Sequence, residues 1–173
     1  MTPQQMIRDW LDAWDDWDSL HVVTAVYVYR FPRQDPAVHT FPLPPPTGPD
    51  TAEHVIAWTA GGAAKAHIKP WHLLGVAYAL DSHISVAQGP PAAAAALGLT
   101  SDRQRGLTVF YRDIADHDGD PLTLYKLQDT GKVVTGTVVT ADGARLTGDF
   151  PTCLASFAQG VAAYSNNRSA THN

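Results

Sequence analysis

The sequence predicts an α+β fold: one mainly antiparallel β-sheet with a meander in its C-terminal half, packed with N-terminal, middle and C-terminal helices. Three observations predict it. The segment His21 to Phe31 alternates with period two and is rich in β-branched and aromatic residues. The second half holds three period-two stretches, each followed by a turn signal, Asp118-Gly119, Asp129-Thr130-Gly131 and Asp142-Gly143, residues that reach positive φ cheaply. Near both ends, apolar residues recur instead at steps of three and four, the period of a helix.

Taken in order, Thr2 and Pro3 supply an N-cap and a first-turn proline for a helix reaching Asp18, with Met6, Trp10, Trp14 and Trp17 on one face. The tryptophans anchor that helix on the sheet; the alternative is a stripe that binds a partner. In the strand from His21 to Phe31, Tyr27, Tyr29 and Phe31 share one side. Residues 32–49 contain seven prolines in eighteen positions, which removes backbone donors and predicts an extended loop. Within it, Phe41 and Leu43 flank prolines in a run that resembles a polyproline ligand, although both side chains favour burial.

Asp50-Thr51-Ala52-Glu53 has the spacing of a capping box, so a helix starts near Thr51 and runs to Ala60 or on to Lys65. Trp71 to Leu80 is almost continuously apolar, as a central strand covered on both faces would be, and His83 to Val86 prolongs it or forms a short edge. Ala92 to Leu97 favours a turn or two of helix. Three strands follow, Leu107 to Ala115, Leu122 to Gln128 and Lys132 to Thr140, and then a short one near Ala144 to Thr147. Pro151 opens a last helix whose inner face is Leu154, Phe157, Ala158 and Val161. Residues 1–164 thus read as one domain and 165–173 as a flexible tail.

Composition narrows the function classes. Hydrophobic residues make up 45% of the 173 and charged residues 17%, the balance of a packed globule. Seventeen acids against twelve bases leave a charge of −5, and Lys and Arg are scattered along the chain, so no basic stripe for nucleic acid is expected. Cys153 is the one cysteine, which excludes an intrachain disulfide framework and a Cys-rich zinc site. With no apolar run near 18 residues and no secretory pattern at the start, a cytoplasmic location away from membranes is expected.

Few residues carry a chemical signature. Asp116-His117-Asp118-Gly119-Asp120 begins like a calcium loop, but Pro121 stands where glycine is needed and Leu127 where the bidentate glutamate is needed, so a hairpin tip is expected. His67 and His72 straddle Pro70 without a His-Glu-x-x-His pattern, and no metal or cofactor is predicted. Asp81 and His83, with Ser82 between them, leave the end of the central strand as a carboxylate and an imidazole able to orient each other. No Gly-x-Ser-x-Gly elbow, dinucleotide fingerprint or phosphate loop is present.

The strand Trp71-His72-Leu73-Leu74-Gly75-Val76-Ala77-Tyr78, followed by the hairpin from Val109-Phe110-Tyr111-Arg112-Asp113-Ile114 to Tyr125, resembles small uncharacterised actinobacterial and actinophage proteins. The resemblance covers about the middle third of the chain and departs from those relatives at Asp81-Ser82-His83. It implies the same architecture and a phage or mobile-element origin, and it carries over neither activity nor site.

The function expected from these features is that of a non-enzymatic accessory or interaction protein, docking a protein partner or itself through Trp10, Trp14, Trp17, Phe41 and Leu43. One alternative is a small hydrolase, with or without the help of a metal, using Asp81 and His83. Another is a small-ligand-binding domain with Tyr27, Tyr29 and Phe31 as a pocket wall.

Overall fold

A computed structural model describes residues 1–19, 23–44, 51–85, 104–118, 122–135, 139–140 and 149–171. Helix α1 (Pro3–Ala13) starts where the sequence places it: the Gln5 amide donates to Thr2 Oγ1 at 3.1 Å, and Pro3 gives up an N–H that no helix could use. It ends earlier than expected. Trp14 is already extended, and Trp17 lies in a separate short turn (Trp17–Ser19). At that end sits Lys126, a buried lysine whose Nζ donates to the carbonyls of Leu11 at 2.9 Å, Asp12 at 2.6 Å and Trp14. Leu11 and Asp12 are among the last four residues of the helix, whose carbonyls lack the usual intrahelical partner, and Leu11 also accepts from the Trp14 amide at 3.3 Å. Ile7 and Leu11, rather than the tryptophans, form the fully buried stripe of α1, and Met6 and Trp10 pack beside it.

Strands β1 (Val23–Tyr29), β2 (Ala37–Pro42), β3 (Leu73–Ser85), β4 (Gln104–Asp113), β5 (Leu122–Leu127) and β6 (Val133–Thr135) form one antiparallel sheet in the order β2-β1-β3-β4-β5-β6. The apolar Leu73–Leu80 stretch is indeed central, paired to β1 on one side and β4 on the other. Two expectations need correction here. The Pro-rich segment is not all loop, because β2 pairs with β1 from Thr24↔Pro42 to Tyr29↔Ala37. An edge strand bonds on one side only, so a proline at its end costs little. The stretch from Lys132 to Thr140 is not one strand, because β6 pairs with β5 while β7 (Val139–Thr140) pairs with β3 at Ile84 and Ser85. Strand β3 outruns β1, whose pairing reaches only Leu80, and β7 takes up the overhang.

The alternation of the strands sends apolar side chains to both faces. One face, with Val26, Val28, Ala77, Val109 and Leu124, packs on α1. The other, with Tyr27, Val76, Tyr78 and Phe110, packs on α2 (Thr51–Lys65) and α3 (Asp149–Thr171). The expected inner face of α3 is buried at Leu154, Phe157, Ala158 and Val161. That helix continues to Thr171, past Ser165, where a tail was expected; Tyr164 and Arg168 make ring contacts that hold this stretch against the body. The expected helical turn at Ala92 to Leu97, the strand near Ala144 to Thr147 and the Gly119–Asp120 tip lie outside the described residues.

A buried polar link joins α2 to the sheet. Tyr27 donates its hydroxyl to the Thr59 carbonyl at 2.6 Å, and Thr59 Oγ1 donates to the Val55 carbonyl at 2.7 Å. Since the only hydroxyl proton of Thr59 goes to Val55, Tyr78 must be the donor across its 2.7 Å contact with Thr59. Burial raises the pKa of Tyr27, Tyr78 and Tyr111 above the ordinary 10.0. The folded chain therefore holds these protons more tightly than the unfolded chain. Their contribution to stability is complete below pH 10 and falls as pH rises through and above it. Ultraviolet titration is expected to show these three of the six tyrosines ionising only as circular dichroism is lost.

Two adjacent glycines in α2 have opposite roles. A Cβ on Gly61 meets nothing within 4 Å, whereas one on Gly62 would lie 2.5 Å from both Phe41 Cδ1 and the Tyr27 hydroxyl. Gly61→Ala is expected to stabilise by roughly 0.5–1 kcal/mol through helix propensity. Gly62→Ala is expected to cost about 1–2 kcal/mol by overpacking. Chemical denaturation of the two variants checks the opposite signs.

Candidate functional site

Asp81, the carboxylate singled out in the sequence, is engaged by Arg105 through both oxygens, Nε to Oδ1 at 3.2 Å and Nη2 to Oδ2 at 3.3 Å. The same guanidinium donates to the Trp17 carbonyl at 3.2 Å, and its carbon lies 5.8 Å from the centre of the Trp17 ring. Asp81 raises the pKa of Arg105, first by hydrogen bonding and then by charge. The pair thus ties β3 and β4 to the turn after α1. His83 stands opposite Arg105 in the β3–β4 register, and its side chain lies outside the described residues. Among the described residues, no three His, Cys, Asp or Glu side chains converge as a metal-binding group.

The residues nominated for docking face inward to a large extent. Trp10, Trp14 and Trp17 are half-buried against the α1 side of the sheet, with Trp14 and Trp17 edge-to-face at 4.7 Å. Leu43 is core, its amide bonded to the Val23 carbonyl at 3.0 Å, and Phe41 is half-buried over Gly62 with Lys65 Nζ 5.2 Å from its ring centre. Tyr27 is fully buried, while Tyr29 and Phe31, edge-to-face at 5.0 Å, are partly buried against the same core.

The fold instead builds a site at the other end of β3 from Asp81. Helix α2 ends in a Schellman motif: the Ile68 amide returns to the Ala63 carbonyl at 2.9 Å and the His67 amide to Ala64 at 3.0 Å. His67 occupies the left-handed position of that motif, φ 58°, where glycine is the usual residue. Pro70 then opens a tight turn (Pro70–His72), closed by the His72 amide on the Lys69 carbonyl at 2.9 Å and by the Lys69 amide on His72 Nδ1 at 3.2 Å. The Arg30 amide holds the His72 carbonyl at 2.9 Å, which moors the turn to the exit of β1. Trp71 therefore sits in a turn ahead of the strand, not in the strand where the sequence places it.

Held there, the indole is 40% exposed. Besides the terminal Met1, it and Tyr164, at 55%, are the large hydrophobic side chains exposed among the described residues. They lie together, with ring centres 6.3 Å apart and planes 13° from parallel. Four residues further along α3, and so on the same face, Arg168 stacks its guanidinium 3.4 Å from the centre of the Trp71 ring.

Among the described residues, three cavities meet at Trp71. One, about 860 Å³, lies toward the end of β4 with Asp113, Ile114, Ser165 and Arg168 in its wall. A second, about 570 Å³, is the groove between α2 and α3. The third, about 510 Å³, is bounded by Arg30, Phe31, Arg33 and His72. Among the described residues, their walls carry Arg30, Arg33, Lys69 and Arg168, four of the chain's twelve lysines and arginines, and one acid, Asp113. Burial raises the pKa of that carboxyl, and the neighbouring Asp116 adds to the effect. Burial, then Arg168 and Lys69, lower the pKa of His72 and favour its neutral form.

Sequence reading misses this site because its bases stand at positions 30, 33, 69 and 168 and converge only in three dimensions. A non-glycine residue at a left-handed position, as at Arg33 (φ 63°) and His67, carries no mark in the chain. The one local signal is Pro70 beside Trp71, which favours a turn ahead of the strand.

Fold and site define an α+β protein with one antiparallel sheet, helices on both faces, and an open aromatic and basic junction at one end of the central strand. No family model, curated protein or solved structure matches the chain. No helix among the described residues is long and apolar enough to cross a membrane.

Proposed function

We propose that the protein acts by binding rather than by catalysis, and that what it binds sits at the Trp71 junction. The observation that carries this is the pairing of Trp71 and Tyr164, large aromatic side chains left exposed and stacked where three cavities meet. Leaving apolar area in water costs roughly 25 cal/mol per Å², so covering these rings supplies binding energy. The commitment of both Asp81 oxygens to Arg105 supports a structural role for that carboxylate.

Nuclear magnetic resonance tests the reading. With the indole N–H of Trp71 assigned through Trp71→Phe, a mixture of fragment-sized compounds is expected to shift it together with the amides of Lys69 and Tyr164. Shifts confined to the surroundings of Asp81 and Arg105, with Trp71 unmoved, would overturn it.

A further inference from the structure

We infer that the ligand is a small anionic amphiphile, its apolar body in the groove between α2 and α3 and its negative head at the Trp71 end, beside Lys69. This deepens the proposed function and rests on the Trp71 junction being the binding site. The groove has a polarity of its own. Along the helices its walls are apolar, with Ile56, Phe157 and Val161 at the sides and Ala60, Ala63 and Gly160 too short to fill it. Its lysine and its histidine, Lys69 and His67, both come from the segment that ends α2, and no acid lines it among the described residues. Across the Trp71 ring stands the guanidinium of Arg168.

The end of α2 by itself works against an anion, because a helix C-terminus carries about half a negative charge. Two of the carbonyls at the end of α2 are taken up by the Schellman amides of His67 and Ile68. Lys69 brings a full positive charge to that end of the groove, and the Arg168 guanidinium stands against the Trp71 ring in the wall of the neighbouring cavity. The net field favours an anion, in a chain whose overall charge is −5. Size favours a small molecule. At about 570 Å³ the groove falls within the range of small-ligand pockets, roughly 300–1,000 Å³.

The test uses three probes of equal chain length, decanoate, 1-decanol and decyltrimethylammonium, titrated by calorimetry below self-association and followed by nuclear magnetic resonance. Decanoate is expected to bind with shifts at Trp71 and along Ala60–Ala64, about tenfold more tightly than the alcohol and more tightly still than the cation. Gly160→Leu is expected to abolish binding without loss of stability. A Cβ at Gly160 meets nothing within 4 Å, and leucine favours a helix, so the added side chain fills the groove and not the core. His67→Gly combined with Lys69→Gln is expected to weaken decanoate by about tenfold and leave decanol unchanged, with glycine welcome at the left-handed position.

Equal affinity for decanoate and decanol at Trp71 would overturn the ligand class while leaving the site standing. Binding that Gly160→Leu does not alter would overturn the placement of the apolar body. Response to phosphatidylglycerol vesicles but not to monomeric decanoate would overturn it in favour of a lipid surface. Failure of all probes to move Trp71, when other compounds do, would sink this inference and spare the proposed function.

Discussion

Replacing Lys126 by methionine is expected to destabilise the protein by about 3 kcal/mol, since each hydrogen bond to a charged group contributes roughly 1.5–3 kcal/mol and partners left unpaired cost more. Lys126 sits on β5 between Leu107 and Val133, on the face otherwise filled by Leu124 and other apolar side chains. Only 5% of it is exposed, and its ammonium group gathers the carbonyls of Leu11, Asp12 and Trp14. Methionine matches the stem in length and apolar character but has no donor, so it separates packing from capping. Arginine is expected to fail as well, because a planar guanidinium spreads its N–H groups apart and cannot aim them at one node. For a chain of this size the melting temperature should fall by roughly 10 °C. Thermal unfolding followed by circular dichroism decides the matter, and a change of a degree or less would mean that water replaces the ammonium without cost.

Gly75→Ala is expected to cost about 2–3 kcal/mol, at the upper end of overpacking losses. Gly75 lies on the central strand opposite Asp113, and the ring of Tyr111 crosses directly over it. A Cβ there would lie 2.5 Å from Cε2 and 2.6 Å from Cζ of Tyr111, and closer still to its hydroxyl. The ring has nowhere to retreat, since Tyr111 is almost wholly buried among the side chains that face α1. Tyr111→Leu shortens the side chain, so the double variant should lose less than the sum of the single losses, by about 1 kcal/mol or more. Strict additivity in urea denaturation would place the cost of Gly75→Ala elsewhere than in the Tyr111 ring.

Periodicity carries far in this chain because burial imposes it. Val23 to Tyr29 alternates between two packed faces, and both sets of side chains are accounted for, one against α2 and α3 and the other against α1. The turn at Asp129-Thr130-Gly131 is legible for the same kind of reason: Gly131 adopts φ 64°, and its amide returns to the Leu127 carbonyl at 2.9 Å. The tryptophan repeat in the first helix misleads, because Trp14 and Trp17 continue the spacing after the backbone has left the helix. The carbonyls at the end of α1 are bound by a lysine more than a hundred residues away, and no local pattern contains it.

The candidate site was hardly legible at all. The sequence by itself determined the antiparallel sheet, its central apolar strand and the buried faces of its helices, since these follow from the spacing of apolar residues and from residues suited to turns. The tertiary structure alone decided that Trp71 stays at the surface with Tyr164 and Arg168 stacked around it, and that Arg30, Arg33 and Lys69 stand nearby. Burial repeats with the period of a helix or strand and so writes itself into the chain. Convergence of charges and rings depends on which elements meet, and that is settled only when the sheet and helices have packed.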